Sequence, residues 1–199
     1  MEIVFIRHGQ TDLNKNNEIQ GAAVDFPLNQ AGEAFAKKSA ENFDVSGYDA
    51  VYVSPLKRAK QTAEIFVKNQ KKLIIDQRLI EFDYGEWDGK LLSQMRQEHP
   101  DAIDPWGKVN QNYIKYAKHG ESFTDLKKRS NDFLNMVKSK YPNGKVLVVA
   151  HGTLIRMMVA ASLTEGEINN FETMDNCGLA QISYREGIAR LDFYNRLLA

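Results

Sequence analysis

Glu2-Ile3-Val4-Phe5-Ile6-Arg7-His8-Gly9 sets four apolar residues in a row and ends them on two nitrogenous side chains and a glycine. An apolar run with no polar alternation is what a strand carries when helices cover both of its faces. The same form returns at Lys145-Val146-Leu147-Val148-Val149-Ala150-His151-Gly152. Both runs therefore predict central strands, and both end on His-Gly. Shorter runs at Asp49 to Val53 and Leu73 to Ile75 add two more strands, and segments of helical period separate them, so the pattern predicts an α/β sheet. Leu179 to Tyr184 and Ile188 to Phe193 flank Arg185-Glu186-Gly187 and predict a closing hairpin that forms an antiparallel edge. Together these describe a three-layer α/β/α fold with a mostly parallel mixed central sheet and one antiparallel edge strand.

Helices are expected at Ala31 to Asn42, Pro55 to Asn69, Leu91 to Glu98, Phe123 to Lys140 and Thr153 to Leu163. Ser54 is positioned to cap the second, where Pro55 suits the first helical residue, and Ser122 with Asp125 resembles a capping box on the fourth. The stretch from Asp83 to Gly120 holds Tyr84, Trp87, Trp106, Tyr113 and Tyr116 but no convincing central strand. It is expected to be a lid-like insertion, about 83–120, in a single domain spanning 1–199. Its aromatic residues fit either a small satellite core or the lining of a substrate site.

The chain has 199 residues, 43% of them hydrophobic, which is enough for a sizeable core in one domain. With 26 basic and 26 acidic side chains the formal charge is zero, so no global field favours nucleic acid or an anionic membrane. The single Cys177 cannot form an internal disulfide, and the first residues lack a secretory pattern, so a cytoplasmic location is expected. No apolar stretch approaches the roughly 20 residues that cross a bilayer. His-x-His, His-Glu-x-x-His and paired-cysteine spacings are all missing, so no metal site is expected, and no organic cofactor motif is present.

Ligands of open α/β sheets bind beyond the carboxyl ends of the strands, and ionisable side chains follow four of the predicted strands. Arg7 and His8 follow the first, Arg58 lies in the first helical turn after the second, Glu81 follows the third, and His151 follows the fourth. Two arginines offer fixed charge and forked donors suited to phosphate oxygens, and the amides at the Pro55 helix start could join them. A neutral His8 can attack phosphorus and split hydrolysis into formation and breakdown of a phosphohistidine. Arg7, Arg58 and a protonated His151 would stabilise the charge spread over the transferring oxygens. Glu81 is the candidate for giving a proton to the leaving oxygen and taking one from water, with Asp83, Glu86 and Asp88 as neighbouring rivals. His99 and His119 are expected at surface loop positions.

In order along the chain, Arg7-His8-Gly9-Gln10-Thr11 with Asn14, Gln20-Gly21, Pro27-Leu28-Asn29 to Gly32, Ser54-Pro55-Leu56-Lys57-Arg58-Ala59, Glu81 to Gly89, Gly120-Glu121-Ser122 and His151-Gly152 resemble the histidine phosphatase superfamily, phosphoglycerate-mutase-like branch. The resemblance implies that His8 is phosphorylated, that Arg7, Arg58 and His151 complete the pocket, and that Glu81 is the acid/base. It also implies that Asn14 and Gln20, with the adjoining Gly21 and Gly152, bind phosphate or substrate.

Cofactor-dependent mutases of the family carry an Arg after the acid/base Glu, whereas Phe82 stands here. The resemblance is therefore to the phosphatase subgroup. It implies a metal-independent phosphomonoesterase of histidine acid type acting on a small phosphate ester, without cofactor, nucleic-acid or membrane partner, as a monomer or homodimer. A lid residue could replace the missing Arg. The alternatives are a cofactor-dependent phosphoglycerate mutase and an inactive binding or regulatory member of the same fold.

Overall fold

The computed structural model describes residues 1–199. Six strands form one sheet: β1 (Glu2–Arg7), β2 (Ala50–Val53), β3 (Leu73–Ile75), β4 (Lys145–Ala150), β5 (Leu179–Arg185) and β6 (Ile188–Arg196), in the order β3-β2-β4-β1-β5-β6. The neighbours β3, β2, β4 and β1 run parallel, and β5 pairs antiparallel with both β1 and β6. The reversed strand thus stands one place in from the edge, and β6 forms the edge itself.

The helices are α1 (Asp12–Lys15), α2 (Gln30–Glu41), α3 (Lys57–Val67), α4 (Leu92–Glu98), α5 (Phe123–Lys140) and α6 (Gly152–Leu163). Alternation along the central strands builds two cores. Ile3 and Phe5 of β1, with Val146 and Val148 of β4, point to the face covered by α5 and α6. Val4, Ile6, Leu147 and Val149 point to the opposite face, where they meet Ala36 and Ala40 of α2 and Ala59, Ala63 and Phe66 of α3. This is the physical reason for unbroken apolar runs in β1 and β4: both faces are dry.

One helix boundary shifts from expectation, and one short helix is additional. The helix after β2 starts at Lys57 rather than Pro55, with Leu56 at its cap position and no side-chain cap. The short α1 carried no apolar periodicity to announce it. It is held by a capping box, in which the Thr11 hydroxyl accepts the Asn14 amide and the Asn14 side chain accepts the Thr11 amide.

Residues 83–120 fold as short 3₁₀ turns and α4. Trp87 and Tyr113 are fully buried there and join Phe82, Met95 and Leu126 in the larger core, whereas Trp106 is 74% exposed. His99 is no simple surface residue, since it stacks between Tyr116 at 4.1 Å and Trp87 at 5.7 Å.

Candidate active site

Because β1 and β4 are neighbours in register, Arg7 beside Ala150, their carboxyl ends set His8 and His151 side by side. The ring centroids are 5.2 Å apart and tilted by 58°. His8 Nδ1 lies 2.7 Å from the Gly9 carbonyl oxygen, an acceptor, so Nδ1 carries the proton and the Nε2 lone pair is left for chemistry. Burial, with Arg58 and Arg7 adding repulsion, holds the His8 pKa well below the ordinary range and keeps the ring neutral. The backbone is pinned as well: the His8 amide donates to Ala150, and Asn176 Nδ2 donates 3.0 Å to the His8 carbonyl.

Arg58 is fully buried behind this pair. Its Nε donates 3.1 Å to His151 Nδ1, Nη1 to the Val24 carbonyl at 2.9 Å, and Nη2 to the Gly21 carbonyl at 3.1 Å. No carboxylate forms an ion pair with it, and burial lowers its pKa to about 10. Since His151 Nδ1 accepts from a guanidinium, that ring is neutral, and its Nε2 donates 2.7 Å to Ser54 Oγ. The expected imidazolium is therefore corrected: burial and the cation of Arg58 hold the His151 pKa well below normal. Ser54 does not cap the helix as expected. Its hydroxyl meets His151, and the Lys57 amide at the helix start donates instead to Asp25 Oδ1 at 2.7 Å.

Arg7 donates through Nη1 to the Met174 carbonyl, and its buried Nε has no partner. It too lacks an ion pair, although Glu81 and Asp175 oppose the lowering of its pKa by burial. Gly152 makes the room beside it: an added Cβ would stand 3.0 Å from Thr173 Cγ2 and 3.3 Å from Arg7 Nε.

Glu81 is 5% exposed and sits at the N-terminus of α6. Its Oε1 accepts the amides of Phe82 at 2.8 Å and Leu154 at 3.0 Å, and Oε2 accepts that of Thr153 at 3.1 Å. The three rivals sit elsewhere. Asp83 bonds the Gly85 amide, Glu86 is exposed, and Asp88 bonds the amides of Gly21 and Ala23 at 2.7 and 2.9 Å. Burial raises the Asp88 pKa to about 6.

A cavity of about 620 Å³ opens over His8. Arg7, Asn14, Gln20, Glu81 and Gly152 line it, while Arg58, His151 and Gly21 lie outside its wall. Gln20 Oε1 accepts from Thr11 Oγ1 and Asn14 Nδ2 at 2.8 and 3.3 Å, which leaves its buried Nε2 a donor without a partner. Gly21 serves differently from expectation. It lets Asp88 and the Phe82 carbonyl approach its backbone, and its own carbonyl holds Arg58.

Sequence reasoning missed Asn176, which bonds both His8 and Asn14, and Arg156 on the cavity wall. Asn176 follows no predicted strand, so only tertiary structure brings it here. Arg156 stands five residues after His151, where α6 periodicity marks it merely as a helical position. No group of three or more His, Cys, Asp or Glu side chains is arranged to hold a metal ion, and no helix is long and apolar enough to cross a membrane.

A buried neutral imidazole beside guanidinium groups that lack carboxylate partners defines a site built for an anion. The chain belongs to the histidine phosphatase superfamily (branch 1), whose family model matches residues 3–197. It is 33% identical over 195 residues to a Bacillus subtilis protein described as uncharacterized phosphatase PhoE, covering 97% of this chain and 93% of that one. It is 34% identical over 158 residues to the metal-independent phosphoserine phosphatase of Arabidopsis thaliana, covering 78% of this chain and 66% of that one. Among solved structures, a mycobacterial glucosyl-3-phosphoglycerate phosphatase superposes with a TM-score of 0.84 at 30% identity, covering 98% of each chain.

The two depressed histidines make stability depend on pH. In the unfolded chain they bind protons near the ordinary imidazole value of 6.5, while in the fold they stay neutral to lower pH. The unfolded state then holds more protons as pH falls below about 6.5, and stability falls with it. Thermal melts are expected to show a lower Tm at about pH 5.5 than at about pH 7.5, with the gap narrowed in His8→Asn. An equal gap in both proteins would contradict the burial of a neutral His8.

Proposed function

We propose that this protein is a metal-independent phosphomonoester hydrolase that works through a phosphohistidine on His8. The observation that carries the proposal is the His8 Nε2 lone pair, set free by the Nδ1 bond to Gly9 and lying beside Arg7, a cation with no ion pair. The Nε2 lone pair attacks phosphorus, the ester P–O bond breaks, and Glu81 gives the leaving oxygen its proton. Water then attacks phosphorus, Glu81 takes a proton from it, the N–P bond breaks, and inorganic phosphate leaves. Arg7, Asn14 and the open Nε2 donor of Gln20 hold the phosphoryl oxygens. Arg58 adds charge from behind, held in place by His151 and the Gly21 and Val24 carbonyls.

The substrate is a small-molecule ester, in keeping with a cavity of about 620 Å³. Residues 83–120 act as its lid, a role supported by Tyr84, Leu92, Lys108 and Val109 in the cavity wall. An acid-type profile follows from the depressed His8 pKa: the nucleophile stays neutral, so activity should persist below about pH 6.

Leaving-group dependence tests the acid/base role. Glu81→Gln is expected to slow hydrolysis of an alkyl phosphate by about 10²-fold or more, and that of p-nitrophenyl phosphate much less, because nitrophenolate leaves without a proton. Equal slowing of both would remove Glu81 from that role. Wild-type rates should be unchanged by a chelator.

A further inference from the structure

From the His8 carbonyl a chain of three carboxamides, Asn176, Asn14 and Gln20, runs to the wall of the cavity, each bonded to the next. A carboxamide presents either its oxygen or its NH2 at a given point, so the sense of such a chain is set by groups that cannot exchange roles. Two backbone groups set it here. The His8 carbonyl can only accept, so the Asn176 atom 3.0 Å from it is Nδ2. That Nδ2 also donates 3.2 Å to Asn14 Oδ1, and the Thr11 amide, which can only donate, meets the same oxygen at 3.2 Å. Asn14 Nδ2 is thereby turned to Gln20 and donates 3.3 Å to Oε1. The Thr11 hydroxyl agrees in sense: it accepts the Asn14 amide, so its own proton goes to Gln20 Oε1 at 2.8 Å. What emerges at the far end is Gln20 Nε2, a buried donor without a protein partner on a cavity-lining residue. Such a donor is costly until an acceptor meets it.

We propose that Asn176 is a positioning residue for the reaction: it fixes the sense of the Asn14–Gln20 pair, so that an NH2 rather than a carbonyl oxygen faces the phosphoryl group, and ties that donor to the backbone of His8. The inference rests on the phosphoryl group binding over His8. Thr11, Asn14 and Gln20 belong to one segment after β1, whereas Asn176 comes from the turn before β5 and bridges that segment to the nucleophile. The turn is itself held from β6, where Asn195 Oδ1 accepts the Asp175 amide at 2.7 Å and Asn195 Nδ2 donates 2.9 Å to Asp175 Oδ2. A reversed chain would set Gln20 Oε1 against the phosphoryl oxygens, acceptor against acceptor. Loss of the Asn176 side chain does not orphan the His8 carbonyl, which also accepts the Cys177 amide at 3.3 Å, so its effect travels through Asn14.

A double-mutant cycle at Asn176 and Gln20 tests this, read by calorimetry of inorganic phosphate binding. Gln20→Ala is expected to weaken binding about tenfold or more, the loss of one hydrogen bond to a charged group. Asn176→Ala should weaken it about three- to tenfold in the wild-type background, but by no more than about twofold in Gln20→Ala, where the donor it positions is gone. Asn176→Ser, too short to span both acceptors, should repeat the pattern and guards against a misfolded alanine variant. Equal losses in both backgrounds, or no loss in the wild-type background, would overturn the proposal. A second readout is the Gln20 side-chain NH2 signal in ¹⁵N NMR, which phosphate should shift in wild type and much less in Asn176→Ala. A residue that only held the fold would lower Tm and leave that shift intact, which would also overturn it. Wild-type protein that binds phosphate without this coupling contradicts the positioning role alone, whereas wild-type protein that binds no phosphate contradicts the hydrolase reading as well.

Discussion

His8→Ala is expected to lower p-nitrophenyl phosphate hydrolysis by at least about four orders of magnitude, with the fold kept. The ring is 3% exposed, and its only side-chain bond, from Nδ1 to Gly9, ends on the adjacent residue. Its loss therefore releases no distant element. The backbone bonds from His8 to Ala150 and from Asn176 remain available to alanine. Deleting a nucleophile removes the covalent route outright, and what persists is the small acceleration that phosphate binding gives to water. Removing an imidazole kept neutral by burial should also raise stability relative to wild type on the acid side, the direction given by the pKa shift. Activity and stability should thus move in opposite directions, which separates a nucleophile from a structural histidine.

Gly21→Ala is expected to damage both stability and activity. An added Cβ would fall 2.3 Å from Asp88 Oδ1, 2.4 Å from the Phe82 carbonyl oxygen and 2.8 Å from Tyr84 Cδ2. All three belong to the 82–88 segment that follows Glu81, and Phe82 and Tyr84 pack in the aromatic core, so they cannot yield freely. The loop must move instead, and with it the Gly21 and Val24 carbonyls that hold Arg58. A loss of about 2–4 kcal/mol in denaturant unfolding is expected, within the range for overpacked buried sites. Arg58 would no longer be fixed against His151, so activity should drop by about 10²-fold or more. A variant with wild-type stability and turnover would show that the loop tolerates displacement and that Arg58 does not depend on it.

How far the chain could be read in advance varies with the range of the interactions involved. The runs Ile3 to Ile6 and Val146 to Val149 were legible because burial on both faces acts on each residue locally, and the two histidines met because parallel neighbours end at the same level. α5 was legible to the residue, from Phe123 to Lys140, since Ser122 and Asp125 cap it locally. The start of α3 was not. Ser54-Pro55 has the composition of a helix start, but Ser54 is drawn to His151, 97 residues away, and the Lys57 amide finds Asp25.

The same reason hid the service of Asp88 to the Gly21 loop, across 67 residues, and made Asp88 look like a rival to Glu81. The charge on His151 was misjudged because proximity to phosphate suggested a cation, whereas the Nε–H of Arg58 requires an acceptor at Nδ1. Phe82 presents a third case. It stands where a mutase of the family carries an Arg, and that comparison said nothing of its surroundings, yet its ring turns into the aromatic core against Tyr84, Tyr113 and Phe123.

The covalent intermediate is the centre of the account, and rapid quenching in alkali during turnover of a radiolabelled phosphomonoester tests it most directly. The expected result is one phosphoryl group per chain, stable in base and lost in acid, mapped to His8 by mass spectrometry and missing from His8→Ala. Label on any other residue, or turnover that persists in His8→Ala with no phosphoenzyme formed, would contradict it.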